Sequence, residues 1–258
     1  MRKLIMSAGV CCVCVSTAAA GGIDGPDAGK ENWDGSLELS ASAASGNTDN
    51  TVIGARFDTR RVLGRYTHDI KAGADYTETT NEVDGEDVTE TTQNKWFTQY
   101  RLEMQMADKT FSYARARYEQ DEFSGYDQRA FLGGGIGHSP FDRDEVRWSL
   151  LAGPGVQYTQ FVEPDSPDPE FKREETEIAA FFGSDLHWLL RENITLEHVA
   201  DATWTEKNST LESRVALTSK LTETISTRVS YNVKHETDPA EDREATDTQL
   251  KASVVFGF

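Results

Sequence analysis

Apolar and polar residues alternate along most of this chain. In the last thirteen residues, Leu250, Ala252, Val254, Phe256 and Phe258 fall on one side of a two-residue repeat. Asp247, Gln249, Lys251, Ser253 and Gly257 fall on the other, with Val255 the single apolar exception. A two-residue period of this length predicts a β-strand with one apolar and one wet face. The same repeat recurs upstream. Leu37, Leu39, Ala41 and Ala43 oppose Ser36, Glu38, Ser40 and Ser42; Ile53, Ala55 and Phe57 oppose Arg56 and Asp58; Ile70, Ala72, Ala74 and Tyr76 oppose Asp69, Lys71 and Asp75. The clearest internal example sets Trp96, Thr98, Tyr100, Leu102, Met104 and Met106 against Lys95, Gln99, Arg101, Glu103 and Gln105.

Beyond it the phase of residues 111–119 is ambiguous. Ala114, Ala116 and Tyr118 compete with Phe111 and Tyr113 for the apolar face, and a bulge would reconcile the two. Further outward faces are predicted at Ala130 to Ile136, Trp148 to Tyr158, Ile178 to Trp188, Ile194 to Trp204, Leu211 to Leu221 and Ile225 to Val233. The total is about twelve strands, an even number that suits an antiparallel up-and-down transmembrane barrel with both ends on one side. Connections alternate as well. Long polar stretches at residues 78–92, 161–175 and 237–245 interleave with tight turns such as Ala107-Asp108-Lys109 and Thr222-Glu223-Thr224. In such barrels the long loops face outside and the tight turns the periplasm.

An ordinary secreted sheet would give the same alternation, but an apolar terminal strand exposed to water is an aggregation hazard. As the closing seam of a membrane barrel it is paired on both edges and faces lipid. Leu250, Ala252, Val254, Phe256 and the aromatic terminus Phe258 resemble the C-terminal signal by which the barrel-assembly machinery recognises bacterial outer-membrane barrels. Trp33, Trp96, Trp148, Trp188 and Trp204 fall near expected strand ends, as interfacial girdles do.

Composition agrees. The 258 residues are 37% hydrophobic, and no run approaches the ~18 apolar residues of a membrane helix. Arg2-Lys3, an apolar stretch over residues 4–15 and Ala18-x-Ala20 predict a signal peptide over residues 1–20. Residues 21–32, rich in Gly, Asp and Pro, then form a flexible periplasmic lead-in to a barrel over residues 33–258. Cys11, Cys12 and Cys14 all lie in the signal segment and match a lipidation box poorly. The mature chain is therefore expected to lack disulfides, thiolate chemistry and cysteine-ligated metal. The net charge of -18 argues against nucleic-acid binding. The expected location is the outer membrane of a Gram-negative bacterium, among its lipids and lipopolysaccharide.

Chemistry was sought among five histidines. His138-Ser139 are adjacent, so on a strand they would face opposite ways. His198 has no serine two residues away. No catalytic constellation, cofactor site or metal-ligand set is expected, and the chain reads as a non-enzyme. Two charge patterns remain. Glu78, Glu82, Asp84, Glu86, Asp87 and Glu90 crowd one outer segment. Such acidic loops would attract divalent cations that bridge to lipopolysaccharide, or simply stay solvated. Facing inward are Arg56, Lys71, Arg101, Arg214, Arg228, Lys234 and Lys251, together with Glu38, Asp58, Asp69, Asp75, Glu103, Glu197, Asp201 and Glu212. Arg115 and Arg117 join them if Ala114 to Tyr118 is the outward phase. Such charges can tune a narrow aqueous pore or pair across the lumen and seal it.

Ser45-Gly46-Asn47-Thr48, Gly153-Pro154-Gly155, Ser230-Tyr231-Asn232, His235-Glu236-Thr237-Asp238-Pro239, Thr246-Asp247-Thr248 and Phe258 occur in an order and spacing that resemble a known family. It is the salt-induced outer-membrane proteins of the YdiY-like type, whose domain has no assigned function. The resemblance runs from about Trp33 onward. It implies the barrel, its location and a link to salt, and it carries no catalytic residues.

Overall fold

The computed structural model describes residues 33–44, 48–83, 86–121, 123–163, 172–239 and 244–258. The expected signal peptide and lead-in lie outside them. Twelve strands follow one another: β1 (Asp34–Ala44), β2 (Thr48–Leu63), β3 (Tyr66–Val83), β4 (Glu86–Ala107), β5 (Thr110–Asp121), β6 (Tyr126–Asp142), β7 (Val146–Phe161), β8 (Glu174–Arg191), β9 (Ile194–Trp204), β10 (Thr210–Lys220), β11 (Ile225–Glu236) and β12 (Thr246–Gly257). Each pairs antiparallel with its sequence neighbours, and β12 returns to β1, closing the barrel.

Register carries the alternation around the wall. At the seam, Leu37 pairs with Phe256 and Leu39 with Val254, so apolar residues meet on one face and Glu38 faces inward beside Val255. A slip of one residue would reverse every side chain. The outer face holds the exposed apolar residues: Ile178 is 83% exposed, Leu250 72% and Leu132 68%. Phe258 lies just past β12. Its backbone exchanges two 3.0 Å hydrogen bonds with Gly35, and its ring stacks on Phe57 at 5.9 Å. A Cβ on Gly35 would sit 2.6 Å from that ring, so glycine makes room for the terminal aromatic.

The ambiguous strand keeps a single phase over residues 110–119, and the irregularity beside it lies on β4 between Gln105 and Ala107. Ala114 and Ala116 are exposed outward, while Phe111 and Tyr113 are buried inward. The β5–β6 register is unbroken from Thr110 to Glu119. Phe111, Tyr113, Phe131, Leu151, Ala179 and Phe181 form a cluster inside the barrel, with Phe131 and Phe181 centroids 5.8 Å apart. Facing glycines accommodate the rings. A Cβ on Gly137 would meet Phe111 at 2.1 Å, and one on Gly155 would meet Phe131 at 2.5 Å.

Gly153-Pro154-Gly155 sits at the same place. The β6–β7 ladder skips from Gly133–Gly155 to Ile136–Ala152, where Pro154 has no amide hydrogen to donate. The backbones close in there, and a Cβ on Gly135 would lie 2.1 Å from the Ala152 carbonyl oxygen.

Residues 78–92, expected as a loop, are mostly hairpin. β3 and β4 continue through them after an irregularity at Thr77/Glu78. The segment is polar on both faces, which hides a strand from a reading of alternation, but threonine favours the extended backbone. Thr79–Thr92 and Thr80–Thr89 hydroxyl pairs join the two strands at 3.0 and 2.8 Å. Trp96 therefore falls inside β4 rather than near its end, although it lies opposite Gln120, next to the end of β5. A tight turn at Gly64 and Arg65 joins β2 to β3, with Gly64 at φ 59°.

Ala252→Arg puts a charge on the outer face of β12 and is expected to cost roughly 2–4 kcal/mol near the bilayer midplane. Gln249→Arg, on the inner face of the same strand, is expected to assemble normally. Yields of heat-modifiable folded protein in outer-membrane fractions check this, and equal yields would contradict the assignment of faces.

Candidate functional site

The inner wall is where chemistry collects. Arg56, Lys71, Arg101, Glu103, Glu197, Asp201, Arg214, Arg228, Lys234 and Lys251 all occupy the inward phase of their strands. Most are tied to residues on distant strands. Glu38 on β1 is a hub. It accepts from Arg214 of β10 at 2.7 Å, from Arg228 of β11 at 3.0 Å and from the Ser253 hydroxyl at 2.7 Å. Arg228 also reaches Glu197 of β9 at 2.8 Å. Arg101 of β4 spans to Asp185 of β8 at 2.7 Å and lies 3.0 Å from Glu103.

Further along the axis, Arg115 of β5 reaches Asp201 of β9 at 2.8 Å, donates to Gln99 and stacks over the Phe181 ring at 4.1 Å. Arg117 bridges Glu119 and, on β10, Glu212 at 2.7 and 3.1 Å. Nearer the loops, Arg129 of β6 pairs with Glu236 of β11 at 2.9 Å. Lys234 donates to the Tyr126 hydroxyl, which donates in turn to Glu119, both at 2.8 Å. Lys251 of β12 contacts Asp75 of β3. Of the inward cations expected from the alternation, Arg56 stays local, paired with Asp58 at 2.9 Å.

These pairs form a belt across the middle of the lumen. Arg101, Arg115, Arg228 and Glu38 are each less than a tenth exposed, so water is largely excluded where they meet. Above the belt, towards the long loops, a cavity of about 690 Å³ reaches from Glu38 and Lys71 up to Pro239 and Glu244. Ser40 of β1 and Gly73 of β3 line it, while the space over Gly54 of β2 is taken by Asp75 and Ser40. A Cβ on Gly54 would already sit 2.6 Å from the Asp75 carboxylate. On the other side of the barrel, Phe131 and Phe181 pack inside, with Phe111 of the same cluster nearer the tight-turn end.

Comparison with known proteins places this architecture. The family described as "Protein of unknown function, DUF481" matches residues 37–258. The chain belongs to the DUF481 family. It is 24% identical over 239 residues to the Escherichia coli (strain K12) protein described as "Uncharacterized protein YdiY", covering 92% of this chain and 87% of the relative. The solved NanC porin matches with a TM-score of 0.50 at 8% identity, over 86% of this chain and 98% of its own. The translocator domain of the autotransporter NalP from Neisseria meningitidis gives 0.48 at 8% identity, over 88% of each chain. At that identity the likeness to NanC is one of fold alone: an outer-membrane barrel.

The DUF481 lumen also contains residues that the alternation did not single out. Asp185, Glu119, Glu236, Arg129 and Tyr126 complete the belt and the network above it. Asp185 was hidden because its inward neighbours on β8 are Ala179, Phe181 and Gly183, which blur the polar phase. Among the described residues, no group of three or more His, Cys, Asp or Glu side chains is arranged to hold a metal ion.

Removing one member of a buried ion pair leaves the other charge uncompensated, at a cost of about 3–5 kcal/mol. Glu38→Gln strands Arg214, leaves Arg228 with Glu197 alone, and is expected to lower stability by that order, read as a lower urea midpoint of the DUF481 barrel in detergent micelles. An unchanged midpoint would show that Glu38 does not hold the belt.

Proposed function

We propose that this barrel is a narrow pore for ions or small solutes in the outer membrane. The observation that carries this reading is the lumen itself. A charged cavity enters from the loop end and is closed only by side chains, with no domain or long loop folded inside among the described residues. Rings of charged side chains set selectivity in such paths, and a constriction made of ion pairs can open by exchanging partners. Arg228, shared between Glu38 and Glu197, is the side chain placed to do so. A role in adapting the envelope to salt rests on the family resemblance. Signal-peptide cleavage and delivery by the barrel-assembly machinery belong to the same reading, whereas cation bridging from the acidic loops to lipopolysaccharide belongs to the alternative of a non-conducting structural barrel.

One observation favours a second reading. The pairs cross the whole width of the lumen, as in a barrel that is structural and does not conduct. Planar-bilayer recording of the refolded mature protein separates the two. A pore gives discrete steps, and Arg228→Gln raises the unit conductance and shifts reversal potentials towards cation preference, because a positive charge leaves the constriction. Silence from protein shown to be folded, or steps indifferent to both Arg228→Gln and Arg101→Gln, would overturn the pore with this constriction.

A further inference from the structure

The loop-end cavity carries an observation beyond its size. Ser230 lines it and is only 1% exposed, yet its hydroxyl has no hydrogen-bond partner among the described residues. A buried hydroxyl left without a partner is costly, and a water or a bound group beside it would satisfy it. Beside it stands Lys251, directly across from Ser230 on the neighbouring strand. Asn232 and Gln249 follow on the same two strands, also facing the cavity.

The charges of this wall do not balance locally. Lys251 contacts Asp75, and Lys95 approaches the same carboxylate at 3.9 Å. One acid thus serves two ammonium groups. Lys71, which also lines the cavity, has no carboxylate within 4.0 Å among the described residues. The acids that act on it, Asp69, Asp185 and Asp58, are shared with Arg101 and Arg56. The carboxylates across the cavity are committed too: Glu38 to Arg214 and Arg228, Asp201 to Arg115, Glu212 to Arg117. Three lysines on β3, β4 and β12 therefore cluster on one wall against Asp75, with Asp247 and Glu244 towards the loops and Glu119, Asp121 and Glu236 committed across the cavity to Arg117, Arg129 and Lys234.

We propose that the cavity is a binding site for a small hydroxylated anion of about monosaccharide size. Its carboxylate or phosphate would engage the wall bearing Lys71, Lys95 and Lys251, with its hydroxyls available to Ser230 and Asn232. The volume of about 690 Å³ falls within the range of small-molecule pockets. Lysine ammonium groups, as compact point charges, accept either anionic group. This deepens the pore reading and rests on it for the solute's passage, but occupancy can be measured whether or not the lumen conducts. A protein that binds and is electrically silent would refute the pore and leave the site standing.

Isothermal titration calorimetry on the full mature protein in detergent, at low salt, tests the site with gluconate, glucose 6-phosphate and glucose. The two anions are expected to bind and glucose to bind roughly tenfold more weakly or not at all. A preference between the anions identifies the anchoring group. Lys71→Gln with Lys95→Gln is expected to weaken anion binding roughly tenfold or more, and Ser230→Ala about fivefold. Heat-modifiable migration confirms folding, and Lys95→Gln alone carries the comparison if the double variant does not fold. Glucose binding as tightly as gluconate, anion affinities unchanged by the lysine substitutions, or no heat at millimolar anion from folded protein would each overturn the proposal.

Discussion

An arginine inside a narrow barrel is tolerated only with a carboxylate in reach, because a charge removed from water and left unpaired is expensive. The interior of this DUF481 protein is arranged around that requirement. Arg101, Arg115, Arg117, Arg129, Arg214 and Arg228 each find an acid within 3.1 Å, usually on the far side of the lumen. The pairs act as struts between walls that the backbone ladder connects only around the circumference. Whether they add net stability over an apolar filling is a separate matter, since desolvation offsets much of their attraction. They do specify which strands face each other.

The rest of the interior adjusts to this belt. On the β5–β8 side, rings lie against glycines, and Arg115 rests on Phe181 while reaching Asp201. On the β1–β3 side the inward residues are polar, Glu38, Lys71, Asp75 and Thr77 among them, and the cavity opens towards the loops. The lumen is asymmetric because aromatic side chains fill one wall and charged and polar ones line the other. The proposed pore rests on that asymmetry: an entrance with charged walls, ending at side-chain ion pairs.

Much of the barrel can be read from alternation. Faces such as Leu37-Leu39-Ala41 and Trp96 to Met106 give strand and orientation together, because lipid and lumen demand opposite chemistry at successive residues. The reading weakens where that contrast disappears. Between Thr77 and Thr92 both faces are polar, so a hairpin looks like a loop. At the start of β5, Phe111 and Tyr113 compete with Ala114 and Ala116, and the glycine opposite Phe111 on β6 makes room for its ring inside. Pairing across the lumen is beyond any local pattern. Arg129 and Glu236 are 107 residues apart, and their meeting depends on the stagger accumulated around the wall.

The most direct test of the belt uses thiol accessibility on intact cells, since the three native cysteines lie in the expected signal segment. Cysteines placed singly at Asn232 and Gln249, in the cavity, and at Ser226, on the tight-turn side of Arg228, would be exposed to a bulky impermeant maleimide. Ready labelling at Asn232 and Gln249 with protection at Ser226 is the predicted result. Equal labelling at all three positions, or labelling confined to Ser226, would contradict a cavity that opens outward and is closed by ion pairs across its floor.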